Sequence, residues 1–314
     1  FKNYKDFFKY YPNSSIRVVT TYSKPKPTKT SDTVIEYDYV ISTNNAGLVM
    51  KKNLKNAEKV IYIIGDSFTE GQGASPWFYD MEKFYENTNV KLVNLGILGT
   101  GPAQWNNLRN HITQEFNLVV EGSVINIIPE DMIRRPWRFN EIELKCLSTS
   151  VCSYFGGFQG FNFKASKNNN EIKKSVLTTS INKTSERNFK DFVKRSQVIF
   201  DIYQYIRNIF KTSSPKLSEE SLLGIRENEK ALLNLQRAAK NKVFVNIVSV
   251  KSMNSKNFNN DIITKKLIDF LENKKFNFKW CDIPEDGFHE IDSHPNKKGY
   301  ETLQKCTEEA LKVL

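Results

Sequence analysis

The sequence predicts an α/β fold: a three-layer sandwich whose central parallel sheet carries helices on both faces, with an N-terminal extension before it and an insertion inside it. Three observations predict this. From residue 57 onward, apolar β-branched runs of strand length alternate with segments of helical length, the pattern of a parallel sheet built from crossover units. The first run, Val60-Ile61-Tyr62-Ile63-Ile64, is continuous and reads as a buried strand. It leads into Gly65-Asp66-Ser67 and then the glycine-rich Gly71-Gln72-Gly73, so a serine hydroxyl stands at the carboxyl end of a strand, where open α/β sheets bind their ligands.

Residues 1–56 read as an extension packed on the main domain. They contain Pro12, the Pro25-Lys26-Pro27 repeat, the partly alternating Thr33–Ile41 that suggests a strand or hairpin, and Asn44-Asn45-Ala46-Gly47-Leu48. The domain from 57 to 314 follows. Its strands are expected near 59–64, 90–95, 119–128, 242–249 and 276–281, and its helices near 76–87, 102–115, 218–240, 260–273 and 296–313. An insertion runs from about 134 to 215. Its first half is aromatic and glycine-rich, with Trp137, Phe139, Tyr154, Phe155, Phe158 and Phe161. In its second half Phe189, Phe192, Ile199, Ile202, Ile206 and Phe210 recur at helical spacing. The aromatic half has two readings, a satellite core or a lid over Ser67 whose rings stack on a sugar or hold an acyl chain.

A chain of 314 residues with 39% hydrophobic content can bury a sizeable core in one large or two modest domains. The net charge of +11 comes mostly from lysines scattered among Asn and Ile. There is no Lys/Arg block interleaved with aromatics, so no nucleic-acid partner is expected. An anionic glycan or membrane surface is compatible with the charge. No apolar run is long enough to span a bilayer. The chain begins at Phe1 and not at methionine, which leads us to expect an upstream piece, either a signal peptide or a membrane anchor. Cys146, Cys152, Cys281 and Cys306 match no zinc pattern, and three histidines without a cluster make no usual metal site, so neither metal nor cofactor is expected. Cys146 and Cys152 are close enough for a disulfide; two bridges and four free thiols both remain open.

Ser67 and His294 lie at opposite ends of the domain. A nucleophilic serine needs such a base, because an unassisted hydroxyl is too weak a nucleophile near neutral pH. His294 stands in Asp292-Ser293-His294-Pro295-Asn296, just before the last helix. Of the other histidines, His111 falls within a predicted helix, at its surface, and His289 competes for the role of base but lacks the Pro-Asn context. Asp292 is the candidate partner of His294, with Asp286 and Glu290 as weaker alternatives.

These segments together resemble the SGNH/GDSL hydrolase family. The first block is Ile64-Gly65-Asp66-Ser67, the second Asn94-Leu95-Gly96-Ile97-Leu98-Gly99-Thr100-Gly101-Pro102, and the last Asp292-Ser293-His294-Pro295-Asn296-Lys297-Lys298-Gly299. The resemblance covers roughly Glu58 to the C-terminus apart from the insertion. It implies a flavodoxin-like strand order, Ser67, His294 and Asp292 as catalytic residues, and an oxyanion hole from the N–H groups of Ser67 and Gly99. Asp66 matches the family's helper aspartate.

The third block departs from the pattern. Where the family carries an oxyanion-donating Asn, this chain has Glu130, in Pro129-Glu130-Asp131, and an ionised carboxylate there would oppose the developing charge. Three arrangements would relieve this: Glu130 turns away, for instance to pair with Arg134; it is protonated; or another donor such as Asn106 or Asn126 takes its place. Asp66, Glu130, Arg134 and Trp137 form the candidate substrate-contacting set, Arg134 and Arg135 being able to hold an anionic group. The function implied is serine-dependent hydrolysis or transfer of O-acetyl groups on a carbohydrate, with a non-catalytic glycan-binding protein as the competing reading. The Asn-x-x-Gly-Leu-like element of the extension resembles SGNH-like proteins of bacterial envelope polysaccharide pathways, which implies export to the periplasm or cell envelope.

Overall fold

The computed structural model describes residues 2–4, 6–24, 32–84, 89–136 and 217–314. Trp137, the aromatic run, the helix expected from Asn188 to Phe210, Cys146 and Cys152 lie outside the described residues.

The extension opens with β1 (Lys2–Asn3) paired to β2 (Phe8–Lys9), followed by a hairpin of β3 (Ser15–Lys24) and β4 (Asp32–Ser42). Strand alternation in β4 turns Tyr37, Tyr39 and Ile41 inward and leaves Asp38 and Val40 exposed. With Tyr10, Val49 and Tyr79 the inward residues form a small core of their own. Phe8, Ala46, Leu48, Met50 and Leu54 join the main core, so the extension packs on the sheet domain.

The main sheet has five parallel strands, β5 (Lys59–Gly65), β6 (Lys91–Gly96), β7 (Val119–Ile127), β8 (Val243–Val248) and β9 (Asn277–Cys281). Their order is β6-β5-β7-β8-β9, which counted within the sheet is the flavodoxin-like 2-1-3-4-5. The winding reverses at β5, which pairs with β6 through Gly65 and Gly96 and with β7 through Gly65 and Asn126. Strand ends separate at such a reversal and leave a crevice beyond them. Tyr62, Ile63, Ile64, Leu95, Val124, Ile125, Val245 and Ile247 are fully buried, each contributing about 1.5–3 kcal/mol relative to exposure.

Among the described residues six helices flank the sheet: α1 (Ser67–Glu70), α2 (Phe78–Phe84), α3 (Pro102–Glu115), α4 (Glu219–Ala238), α5 (Ile262–Asn273) and α6 (Lys297–Leu311). Pro102 starts α3, and the side chains of Ser218 and Asp261 cap α4 and α5. Only α1 is unforeseen, four residues being too few to show a period. His111 lies on α3 as expected, with its side chain partly exposed. The rings of Tyr4 and Phe7 cover it at centroid distances of 4.7 and 5.1 Å, and it pairs with Glu115.

Cys281 at the end of β9 is disulfide-bonded to Cys306 in α6, which excludes four free thiols. Closing a loop of this length stabilises the fold by about 3 kcal/mol. Among the described residues no helix is long and apolar enough to cross a membrane.

Candidate functional site

The turn after β5 is built around Ser67. Asp66 caps α1, its Oδ1 accepting from Phe68 N at 2.9 Å, and Ser67 is the first helical residue, whose N–H has no acceptor within the helix. The end of β6 approaches so closely that a Cβ on Gly96 would lie 2.3 Å from Glu70 N. Any larger residue there would force α1 away from the sheet.

The opposite wall is a small loop closed by the Phe288–Pro295 bridge and by His289 N donating to His294 O at 2.8 Å. Asn296 caps α6 through Lys298 N and Gly299 N, and its amide donates back to Asp286 O and Phe288 O. Thus the residues after His294 fasten the loop to the helix that follows it. Ser293 adopts a left-handed conformation, φ 62°, which folds His294 back towards Asp292.

Ser67 Oγ lies 3.0 Å from His294 Nε2, and His294 Nδ1 lies 2.5 Å from Asp292 Oδ2. An ionised Asp292 only accepts, so the imidazole proton sits on Nδ1 and Nε2 is left to accept from the serine. His289 is engaged elsewhere, its Nε2 on Gly73 O at 2.7 Å. Asp286 pairs with Lys298 in solvent, and Glu290 is exposed. The structure therefore brings together Ser67, His294 and Asp292 and none of their alternatives.

The second turn, Ile97–Thr100, is fixed from several sides. Leu98 N donates to Glu70 Oε2 at 2.7 Å and Ile97 N to Gly65 O at 3.2 Å. Arg134 Nη1 donates to Thr100 O at 3.1 Å. Gly99 has a positive φ of 68°, which a side chain would disfavour. Among the described residues, no bond engages the N–H of Gly99 or of Ser67.

The candidate substrate-contacting set is corrected in two of its members. Asp66 is buried, with its carboxylate occupied by Phe68 N and Arg134 Nη1. Arg134 bonds Asp66 at 2.8 Å and Asp131 at 2.5 Å; burial works against its charge, but Asp131 and Asp66 more than offset this and raise its pKa. Both residues hold the turns in place. Glu130 is exposed and forms no ion pair with Arg134 among the described residues. Arg135 faces Glu227 of α4 at 3.7 Å. Of the substitute donors, Asn106 Oδ1 accepts from Arg109 and Asn126 Oδ1 from Asn246, while the amide nitrogen of Asn126 is buried with no partner among the described residues. Trp137 lies outside the described residues.

Glu70 gives this arrangement a pH dependence. It is buried, accepts from Tyr10 Oη at 2.8 Å, and desolvation pushes its carboxyl up to about 7, against the pull of Leu98 N–H and Tyr10. The folded state therefore holds this proton more tightly than the unfolded chain. The stability it confers is complete below the ordinary value of 4.5 and is lost as pH rises through about 7. The loss is on the order of 3 kcal/mol. Glu70→Gln, neutral throughout, is expected to flatten urea-unfolding free energies across that window and to exceed the wild type at pH 8. An unchanged slope would contradict the assignment.

Two neighbours of the site escaped the sequence analysis, Glu36 and Tyr37 of β4, which bond the Asp292 segment. The partial alternation of Thr33–Ile41 suggested a strand, but nothing in it told which loop Glu36 and Tyr37 would meet.

No protein-family model matches the chain, and no curated protein does. Solved structures show similarity. A lipolytic protein of the G-D-S-L family from Veillonella parvula is 14% identical, with 82% of this chain and 100% of that one covered and a TM-score of 0.36. A catalytic mutant of an acetylxylan esterase from Geobacillus stearothermophilus is 12% identical, with coverages of 82% and 95% and a TM-score of 0.40. An acetyl xylan esterase from Butyrivibrio proteoclasticus is 14% identical, with coverages of 83% and 64% and a TM-score of 0.39. What the chain itself shows is an α/β domain with the flavodoxin-like strand order, in which Ser67, His294 and Asp292 meet.

Proposed function

We propose that this protein performs serine-dependent acyl chemistry on an ester, as a hydrolase or as a transferase, and that the ester is an O-acetyl group on a carbohydrate. The observation that carries the reading is the unbroken chain from Ser67 Oγ through His294 to Asp292, at 3.0 and 2.5 Å. Ser67 Oγ attacks the ester carbonyl while His294 Nε2 takes its proton. The tetrahedral oxyanion is met by the N–H groups of Ser67 and Gly99, and Asp292 stabilises the imidazolium. As the intermediate collapses, His294 returns the proton to the leaving alcohol and the acyl group stays on Ser67. A water or a second hydroxyl then enters, gives its proton to His294, and carries the acyl group away as His294 passes that proton to the leaving Ser67 Oγ.

The carbohydrate O-acetyl substrate rests on the motif resemblance, and the net charge of +11 is compatible with an anionic glycan. Export to the periplasm or cell envelope is part of the same proposal, supported by the Cys281–Cys306 disulfide, since such bonds persist in oxidising compartments. A non-catalytic glycan-binding role gives no reason for the serine to meet its base. Incubation with a chromogenic acetyl ester, with and without a glycan acceptor, tests the reading. Release of the chromophore is expected in both, and acetylated acceptor would identify the transferase. No release under either condition would overturn the proposal.

A further inference from the structure

The hairpin of the extension reaches into the base–acid pair. Asp292 Oδ2, which faces His294 Nδ1 at 2.5 Å, also accepts from Tyr37 Oη at 2.7 Å. Gln72 Nε2 donates to that same hydroxyl at 2.9 Å, which leaves the single phenolic proton for Asp292. One residue earlier, Glu36 accepts from the backbone N–H of Ile291 at 2.6 Å and of Asp292 at 3.0 Å. One side chain thus holds the carboxylate of Asp292 and the next holds its backbone, both from a strand of the extension.

We infer that Glu36 and Tyr37 are positioning residues for the reaction proposed above, orienting Asp292 and sharing its charge so that His294 keeps the tautomer and basicity the serine needs. The inference rests on that reading for its chemistry, but the placement of the residues stands apart from it. A hydrogen-bond donor on a carboxylate oxygen spreads its charge and lowers its proton affinity. The carboxylate then supports the imidazolium without over-stabilising it. Tyr37 remains a neutral donor, because burial, opposed by bonds from Gln72 and Thr20 and aided by Asp292, pushes its phenol up to about 12.

The other groups around this pair leave the effect attributable to Tyr37. The His294 ring lies on Phe68 at 5.6 Å, and the rings of Tyr39 and His289 flank Tyr37 at 5.8 and 5.2 Å. Charged neighbours among the described residues include Asp66, paired with Arg134; Glu36 itself; Glu290; and Lys251, which donates to the carbonyls of His289 and Glu290. Tyr37→Phe leaves these groups in place and keeps the ring, removing only the hydroxyl and its bonds to Asp292, Gln72 and Thr20.

The test follows the His294 ring by NMR titration in the full chain, beside the pH profile of kcat/KM. In Tyr37→Phe the titration midpoint is expected to move up by about 0.5–1 pH unit, the acid limb of kcat/KM moving with it, because the carboxylate becomes more basic. In Glu36→Gln, where one of the two backbone bonds is lost and Asp292 loosens, the midpoint is expected to fall and kcat to drop with little change in KM. An unchanged or lowered midpoint in folded Tyr37→Phe, or an unchanged one in Glu36→Gln, overturns the inference. The midpoint is read without turnover, so absence of ester cleavage by the wild type would overturn the proposed function alone.

Discussion

Ser67→Ala is expected to lower ester turnover by about four to six powers of ten while leaving the fold intact. The size of the effect follows from the role, since without Oγ no acyl group can be taken up and only binding and the oxyanion donors remain. The mild effect on stability follows from the contacts. Ser67 Oγ bonds His294 Nε2 at 3.0 Å and Asp66 only weakly at 3.4 Å, and the His294 side chain is 19% exposed, within reach of water. No buried group is left unpaired, so the unfolding free energy should change by less than about 1 kcal/mol. Turnover of a chromogenic acetyl ester and a thermal melt on the same preparation check both halves. Undiminished turnover in a folded variant would contradict the assignment of Ser67.

Arg134→Met is expected to have the largest effect on stability, a loss of about 3–5 kcal/mol. Its two partners, Asp66 and Asp131, have side chains only 1% and 0% exposed. Burial, then repulsion from Asp66, already raises the pKa of Asp131 well above the ordinary value, and Arg134 is the cation that holds it down. Removing that cation leaves two buried carboxylates that must protonate or draw in water. It also frees Thr100 O, beside Gly99, so turnover should fall together with stability. Arg134→Lys should recover part of the loss by restoring the charge without the planar fork. Urea unfolding of the two variants is the measurement, and a loss below about 1 kcal/mol in Arg134→Met would contradict the account.

Much of the sheet was legible because its strands are continuous apolar runs. Val60–Ile64 needs no partner to be recognised, and the five expected strands lie within a residue of β5 to β9 at each end. The Asp292–Asn296 segment was legible for a different reason: its residues act locally, with Asn296 capping the helix that follows and Asp292 meeting a histidine two residues on. Where partners lie far apart in sequence and no motif marks them, as one marks Ser67 and His294, the reading failed. Glu36 and Tyr37 meet Ile291 and Asp292 across the whole domain, and alternation within a strand says which face a residue takes but not what it will touch. The expected Glu130–Arg134 pair failed on geometry. Pro129–Ile133 is a 3-10 turn, and three residues per turn align Arg134 with Asp131, where an α-helix would have offered Glu130.

The central claim is that Ser67 is a nucleophile activated by His294. The most direct measurement is labelling of the native protein with a fluorophosphonate, an electrophile that phosphonylates activated serines, followed by peptide mapping. The account predicts one adduct, on Ser67, lost in His294→Ala although the serine is still present. An unlabelled wild-type protein, an adduct on another residue, or equal labelling of Ser67 in His294→Ala would contradict it.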